Sequence, residues 1–255
     1  MFHFILRTIP RPLLIKLSLL FRHIAPLIYY GKRYEDPISG KTYRKFLPYG
    51  YSGKAKRKNA LCPGSLSLER HRLLWLFLKN KTDFFSAARL KLLHVAPEQC
   101  FYPLFKKQIN LDYVTADLNS PLAMVKMDLH HTPFQDNEFD VVFCNHVLEH
   151  VDDDRQCMRE LFRIMKKGGW GVFQVPQDIN RSQTYEDKSI VTEADREKHF
   201  WQKDHVRLFG LDYPQRLRDA GFIVEVIDIT KEIGAELVDR FRLPAGEFIY
   251  LCRKL

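Results

Sequence analysis

Polar side chains that could hold a ligand follow three of the apolar segments that this sequence predicts as strands. Asp117 ends the second segment, Asp128 follows the third, and Asn145-His146 follow the fourth. Asp117 lies about 20 residues beyond the first segment, a spacing at which a carboxylate accepts hydrogen bonds from the ribose hydroxyls of a nucleotide-like ligand. A strand-end aspartate can instead cap the next helix, so these positions also have a purely structural interpretation.

Three histidines could accept a proton during a reaction. His146, His150 and His205 are candidates because imidazole titrates near neutral pH. We expect His150 to fix its own loop, and we take His146 and His205 as the catalytic candidates. His205 lies in the polar stretch 177–207, which is long enough to act as a substrate lid.

Short apolar segments alternate with helical patterns from residue 90 onward, which predicts βαβ units around a parallel sheet. A helix is expected between Asp152-Asp153-Asp154 and Gly168-Gly169, because acids suit a helix start and glycine suits a helix end. We therefore predict an α/β, Rossmann-like fold with a seven-stranded, mostly parallel sheet and helices on both faces. The predicted strands are 92–95, 113–116, 125–127, 141–144, 172–175, 223–227 and 248–252.

Three motifs between residues 132 and 171 carry a resemblance to a known family. They are Thr132-Pro133-Phe134-Gln135-Asp136-Asn137-Glu138-Phe139-Asp140-Val141-Val142, Asn145-His146-Val147-Leu148-Glu149-His150-Val151 and Met165-Lys166-Lys167-Gly168-Gly169-Trp170-Gly171. In this order they resemble the later motifs of small-molecule class I S-adenosylmethionine-dependent methyltransferases. The resemblance implies transfer of a methyl group from S-adenosylmethionine to a small-molecule or lipid-linked acceptor.

The resemblance also implies which strand-end residues contact the cofactor. The ribose would lie at Asp117, with Leu118 as a further contact, the adenine would lie beside Asp128 and Leu129, and the methionine portion would lie near Asn145 and His146.

The first motif departs from the usual Gly-x-Gly loop of this family. In its place stands His94-Val95-Ala96-Pro97-Glu98, which is similar to a bacterial subgroup that also carries a motif like Asp204-His205-Val206-Arg207. Ala96 is small enough for a close approach of backbone to cofactor, and the Pro97 ring could shape the turn without glycine. We predict that His94, Ala96, Pro97 and Glu98 bind the cofactor. A non-catalytic cofactor-binding partner protein stays open as an alternative.

Members of that subgroup carry two Cys-x-x-Cys knuckles ahead of the catalytic domain, which suggest a zinc ribbon. The matching positions here are Asp36, Ser39, Cys62 and Ser65, beside the matching segment 67–72. A structural zinc site needs four Cys or His ligands, and a single thiol is present at these positions. We therefore predict no metal, and a ribbon that persists without one.

Positive charge is concentrated in the N-terminal part of the chain. Residues 1–81 carry 17 Lys and Arg against three acidic residues, a net charge of +14, whereas the remainder carries −5. We predict a basic amphipathic helical segment over 1–30, a loop-rich degenerate ribbon over 31–66 and the methyltransferase domain over 67–255. The helix, expected from Pro12 to about Ile24, could lie at a membrane interface or pack on the catalytic domain.

Composition favours a cytoplasmic protein. We also allow for a peripheral contact of this protein with the inner face of the membrane. The five scattered cysteines are typical of reduced thiols, and neither a secretory signal nor a spanning apolar run is evident. Nucleic acid is disfavoured as a substrate, because Cys144-Asn145-His146-Val147 stands where methyltransferases of base amino groups carry Asn/Asp-Pro-Pro-Tyr/Phe. RNA methylation is kept as a weaker alternative on account of the basic run 54–58. The sequence leaves the acceptor atom and the oligomeric state open.

Overall fold

A computed structural model describes residues 20–22, 24–50, 57–86, 88–244 and 246–255. They form two compact units: the first comprises the described residues up to Phe85 together with Asp228–Glu247, and the second comprises Ser86–Ile227 and Phe248–Leu255. The elements in chain order are β1 (Tyr30–Asp36), β2 (Lys41–Tyr43), β3 (Leu47–Tyr49), β4 (Arg57–Leu61), α1 (Glu69–Lys81), β5 (Leu90–Val95), α2 (Tyr102–Phe105), β6 (Leu111–Asp117), β7 (Val125–Lys126), β8 (Phe139–Cys144), α3 (Asp154–Ile164), β9 (Met165–Val172), β10 (Tyr185–Glu186), α4 (Glu193–Phe200), β11 (Arg207–Leu208), α5 (Tyr213–Asp219), β12 (Ile223–Ile227), α6 (Ile229–Ile233), α7 (Ala235–Arg240) and β13 (Ile249–Arg253).

The first unit contains two antiparallel hairpins, β1–β2 and β3–β4, followed by α1. Residues 67–85 belong to this unit, and the boundary predicted at 66/67 stays a prediction. The expected N-terminal helix falls mostly outside the described residues, although 20–22 and 24–28 are helical.

The four positions that match zinc ligands in the resembling subgroup lie in a hydrogen-bonded polar cluster of the first unit. Asp36 is fully buried, and its carboxylate accepts hydrogen bonds from the hydroxyls of Ser39 at 2.7 Å and Ser67 at 3.2 Å. The Ser65 hydroxyl in turn donates to the Ser67 hydroxyl at 2.8 Å. Burial raises the pKa of Cys62 to about 11, so this thiol stays protonated at neutral pH.

The second unit is built on one seven-stranded sheet with the order β12-β13-β9-β8-β5-β6-β7. Strands β5 to β9 run parallel to one another, and β13 is antiparallel to both β9 and β12. This confirms the Rossmann-like fold. The strand order reverses between β5 and β8, and ligands of open α/β sheets bind at the carboxyl ends of the strands beside such a reversal.

Apolar residues cover both faces of this sheet. Leu93 and Val142 lie in one buried cluster with Met158 and Leu161 of α3. On the opposite face, Phe105 of α2 packs with its ring 6.2 Å from that of Phe143. Side chains alternate between the faces of a strand, so these two clusters place helices on both sides, as predicted.

The helix that precedes the fifth strand begins as expected but ends differently. The Asp153 side chain accepts a hydrogen bond from the Gln156 amide at 2.9 Å, as an acidic helix start predicts. However, α3 ends at Ile164, and Gly168-Gly169 lie within β9. The expectation that these glycines cap the helix and that the strand starts at 172 was therefore wrong.

Glycine in this strand serves close packing between neighbouring strands. A Cβ at Gly171 would lie 2.6 Å from the carbonyl oxygen of Val142 on β8, well inside ordinary contact. The short glycine-rich pattern therefore reflects a crowded parallel pair.

None of the helices in the described ranges has both the length and the apolar character needed to cross a membrane.

Candidate functional site

Three of the predicted cofactor-binding residues come together where the strand order reverses. Val95 of β5 pairs with Ala116 of β6 on one side and with Cys144 of β8 on the other. Ala96, Asp117 and Asn145 are the next residues along these three neighbouring strands. Because paired strands lie about 4.8 Å apart, the three residues share one edge of the sheet.

The backbone turns sharply at two of these strand ends. Ala96 has φ of 51° and His146 has φ of 56°, in the left-handed region that costs a non-glycine residue energy. Hydrogen bonds to the neighbouring strands hold both turns: the Ala96 amide donates to Ala116 at 2.8 Å, and the His146 amide donates to Gln174 at 2.7 Å. Backbone strain of this kind is concentrated at functional sites, and at Ala96 the methyl group leaves room for a ligand close to the main chain.

His94 of the first motif does not offer its side chain to a ligand. Its ring is fully buried; Nδ1 lies 2.9 Å from the Tyr113 hydroxyl and Nε2 contacts the Glu98 carboxylate. With both ring nitrogens used inside the protein, His94 positions Glu98 and the turn between them. The cofactor contact predicted for His94 stays a prediction, and Pro97 is buried in the same turn.

Asp117 combines a structural role with a free oxygen. Its Oδ1 accepts hydrogen bonds from the amides of Asn119 and Ser120, both at 2.6 Å, which fixes the loop after β6. Its Oδ2 accepts no hydrogen bond from the residues that the structure describes, and the side chain is half-buried. A fixed carboxylate with one oxygen available suits a ribose diol. Leu118 beside it is exposed.

Asp128 lies one step further along the same edge, because Lys126 pairs with Asp117 and the Met127 amide donates to the Asp117 carbonyl at 3.1 Å. Its Oδ1 accepts from the amide of His130 at 2.9 Å, and the same oxygen lies 2.6 Å from Nδ1 of that ring. These bonds from the His130 backbone and ring hold the pKa of Asp128 below its usual range. The adjacent Leu129 is buried.

Asn145 carries the clearest sign of a missing ligand. The side chain is 5 % exposed, and its Oδ1 accepts a hydrogen bond from the Gln174 amide at 3.1 Å. That bond fixes the amide orientation, and Nδ2 then has no hydrogen-bond partner within the described residues. A buried donor without an acceptor is costly, so this position fits a ligand that supplies an oxygen.

The predicted histidines gather around an acidic residue that the sequence analysis did not single out. Glu149 is 1 % exposed, and its Oε1 lies 3.4 Å from Nδ1 of His146 and 3.9 Å from Nε2 of His150. His205 comes from the polar stretch 177–207, and its ring centre lies 4.8 Å from that of His150. The sequence does contain a signal for this residue, because Glu149 lies between two histidines, His146 and His150, shortly after a buried strand.

Burial lowers the pKa of His205, so its imidazole is neutral at neutral pH. Its Nδ1 lies 2.9 Å from the carbonyl oxygen of Phe200, which fixes the hydrogen on Nδ1 and leaves a lone pair on Nε2. The geometry thus supports His205 as a proton acceptor. His146 also has an unpartnered Nε2 in this part of the structure, but its backbone strain and contact with Glu149 make it part of the strand-end turn as well.

Arg207 ties the two segments of this histidine cluster together. Its guanidinium donates to the carbonyl oxygens of Leu148, Val151 and Asp152, at 2.8, 2.5 and 2.9 Å. The backbone adds a bond from Val206 to the Glu149 carbonyl at 2.9 Å. The downstream motif of the resembling subgroup therefore holds the loop after β8 in place.

Part of the second unit is similar to a known protein family. Residues 98–173 match the family model described as "Methyltransferase domain". A search of curated proteins found no match.

Solved structures with a similar fold include the following three, which differ in sequence identity and in the share of each chain that is covered. A putative methyltransferase from Bacillus halodurans has 17 % identity and a TM-score of 0.42, covering 66 % of this chain and 94 % of its own. The YcgJ protein from Bacillus subtilis has 16 % identity and a TM-score of 0.45, with coverage of 71 % and 94 %. Phosphoethanolamine N-methyltransferase 2 from Haemonchus contortus, solved with phosphomonomethylethanolamine and S-adenosylhomocysteine, has 13 % identity and a TM-score of 0.48, with coverage of 72 % and 52 %.

Proposed function

We propose that this chain, which carries a methyltransferase domain over residues 98–173, transfers a methyl group from S-adenosylmethionine to a small-molecule or lipid-linked acceptor. One observation carries the proposal: Ala96, Asp117 and the unpartnered amide of Asn145 meet at the reversal of the strand order. A site that offers room beside the backbone, a free carboxylate oxygen and a buried amide donor suits a nucleoside with an attached amino acid. These are the two parts of S-adenosylmethionine.

The residues of the chain would divide the work between binding and proton transfer. Asp117 accepts hydrogen bonds from the ribose, and Asn145 donates its amide hydrogen to the amino-acid part. When bound, S-adenosylmethionine supplies a methyl group on a positively charged sulfur, and alignment of the acceptor with that methyl is the main task of the protein. His205, neutral and with its Nε2 lone pair available, accepts the proton of a hydroxyl or ammonium acceptor, with His146 as the second candidate.

The first test is isothermal titration of the purified protein with S-adenosylmethionine and S-adenosylhomocysteine. Asp117→Ala should weaken binding by about 10- to 100-fold, because a hydrogen bond to a charged group contributes about 1.5–3 kcal/mol. Asp219→Ala is the matched control, since that carboxylate forms an exposed pair with Arg155; we expect it to bind as wild type. Absence of binding by correctly folded wild-type protein would refute the cofactor site and favour a non-catalytic role.

We also propose a peripheral membrane contact through residues 1–30. Within its described part, apolar side chains are exposed next to the strongly basic segment, which suits an anionic lipid surface. They are Leu20, Ile24, Leu27, Ile28 and Tyr30, exposed by 63, 49, 79, 51 and 73 %.

Flotation with vesicles tests this contact. The double variant Leu27→Asp/Ile28→Asp should float less than wild type with vesicles of anionic phospholipid. Ile109→Asp is the control, because Ile109 is fully exposed elsewhere and should not affect flotation. Equal flotation of all three proteins would contradict the proposal.

A further inference from the structure

Glu149, His150 and His205 form a cluster whose geometry points beyond methyl transfer. Each side chain offers one metal-ligating atom, and these atoms lie within 4.8 Å of one another. Glu149 and His205 are 1 % exposed, whereas the side chain of His150 is 34 % exposed. The cluster therefore has a buried floor and one side open to solvent.

The backbone fixes both imidazoles with their Nε2 lone pairs available. Nδ1 of His205 lies 2.9 Å from the carbonyl oxygen of Phe200, and Nδ1 of His150 lies 3.1 Å from the carbonyl oxygen of Asp204. A carbonyl oxygen can only accept, so each Nδ1 must carry the hydrogen. In neutral rings the lone pairs then reside on the Nε2 atoms, the nitrogens that can ligate a metal.

The buried carboxylate of Glu149 lies beside these two imidazoles, and its Oε1 also lies 3.4 Å from Nδ1 of His146. Oε2 of Glu149 and Nε2 of His205 have no hydrogen-bond partner in the part of the chain that the structure describes. The 3.9 Å between Oε1 of Glu149 and Nε2 of His150 is too long for a hydrogen bond. A buried carboxylate beside two unpaired acceptors is costly unless a cation neutralises it.

We propose that Glu149, His150 and His205 bind a divalent transition-metal ion, with Zn²⁺ as the ion that the set suits best. In the metal-bound protein Nε2 of His205 is a ligand, so the role of proton acceptor passes to His146, the second candidate. Two imidazoles and one carboxylate are a ligand set of zinc sites that keep a fourth position open. The carbonyls of Phe200 and Asp204 supply the outer hydrogen bonds that orient metal-binding histidines. Nitrogen ligands disfavour Mg²⁺ and Ca²⁺, which prefer oxygen.

A small closure of the cluster is sufficient for coordination. At metal–ligand distances of about 2.0–2.1 Å, tetrahedral ligands lie about 3.3 Å apart, so the widest pair must approach by more than an ångström. His150, whose side chain is 34 % exposed, would make most of that movement. The sequence predicted no metal because the zinc-ribbon positions lack thiols; this cluster is a different set of residues in the second unit.

Cobalt titration of full-length, chelator-treated protein tests the site. Co²⁺ should bind with a stoichiometry of one and give the visible absorption of a four-coordinate ion; Zn²⁺ should displace it, and Mg²⁺ should not. Glu149→Gln and His205→Ala should each weaken Co²⁺ binding by at least about 100-fold, since each removes a direct ligand. His131→Ala is the matched control, because His131 is an exposed histidine outside the cluster; Cys62→Ser tests the ribbon in the same way.

Circular dichroism and thermal melting of the metal-free variants separate loss of the site from loss of the fold. If a buried substitution unfolds the protein, His150→Ala takes its place, since that ring is partly exposed. The proposal is overturned if wild-type protein binds neither Co²⁺ nor Zn²⁺, if His205→Ala and His150→Ala bind as wild type, or if Cys62→Ser alone abolishes binding. Metal titration uses no S-adenosylmethionine, so its failure and the failure of the proposed function are read independently.

Discussion

Replacement of Arg207 by methionine should destabilise the second unit strongly. The side chain is 2 % exposed, and its guanidinium serves three backbone carbonyls, of Leu148, Val151 and Asp152. Methionine keeps much of the apolar volume but leaves those carbonyls without a donor, at about 1–3 kcal/mol for each one that solvent cannot reach. The Glu186 carboxylate also loses its contact at 3.1 Å. We expect the free energy of unfolding to fall by at least about 3 kcal/mol, the sum over the three carbonyls at the low end of that range.

Urea unfolding followed by tryptophan fluorescence measures this change, since Trp170 is buried in the same unit. Arg155→Met is the matched control: its ion pair with Asp219 has side chains 37 and 48 % exposed, so its loss should cost less than about 1 kcal/mol. A loss below about 1 kcal/mol for Arg207→Met would refute the view that this guanidinium holds the loop after β8.

Three further predictions concern single groups. Ala96→Gly should keep cofactor binding and change the free energy of unfolding by no more than about 1 kcal/mol, whereas Ala96→Val should weaken both, because a β-branched residue is strained at φ of 51°; calorimetric titration and urea unfolding compare the two. Burial lowers the pKa of His205 in the folded state, so the unfolded state binds more protons below pH of about 6.5, and stability should decline from there towards the lower folded pKa; His205→Gln should show a flatter pH dependence, and an unchanged slope would contradict the assignment. All five cysteines are buried, and burial raises the pKa of Cys157 to about 12. A thiol-specific reagent at pH 8 should therefore detect no thiol in the native protein and five thiols in the protein unfolded in urea.

The strand pattern was predictable because its signal is local. Apolar runs bounded by polar residues placed six of the seven strands, and the acidic start of α3 was confirmed by the hydrogen bond to Asp153. The fifth strand was predicted too far along the chain because Gly168-Gly169 are typical of a helix end. The crowding that requires glycine at Gly171 comes from the carbonyl of Val142, which lies on another strand. Sequence spacing does not carry that information.

The site was predictable to the extent that it follows strand ends. Register brings Ala96, Asp117 and Asn145 together, as an edge of parallel strands must. The burial of His94 and the grouping of Glu149 with His205 depend on packing between segments far apart in the chain. Residue types alone did not distinguish a ligand from a residue that positions one.

The path of the chain through the two units has a consequence for biosynthesis. Asp228–Glu247 belong to the first unit, and the chain then returns to place β13 between β12 and β9. Arg72 donates to the carbonyls of Phe241 and Arg242, at 2.6 and 2.9 Å, so its partners are translated about 170 residues after it. On the ribosome, neither unit can be completed before its final segment emerges. A nascent chain stalled at residue 227 would therefore expose both cores at once, and is the form in which we expect this protein to need a chaperone most.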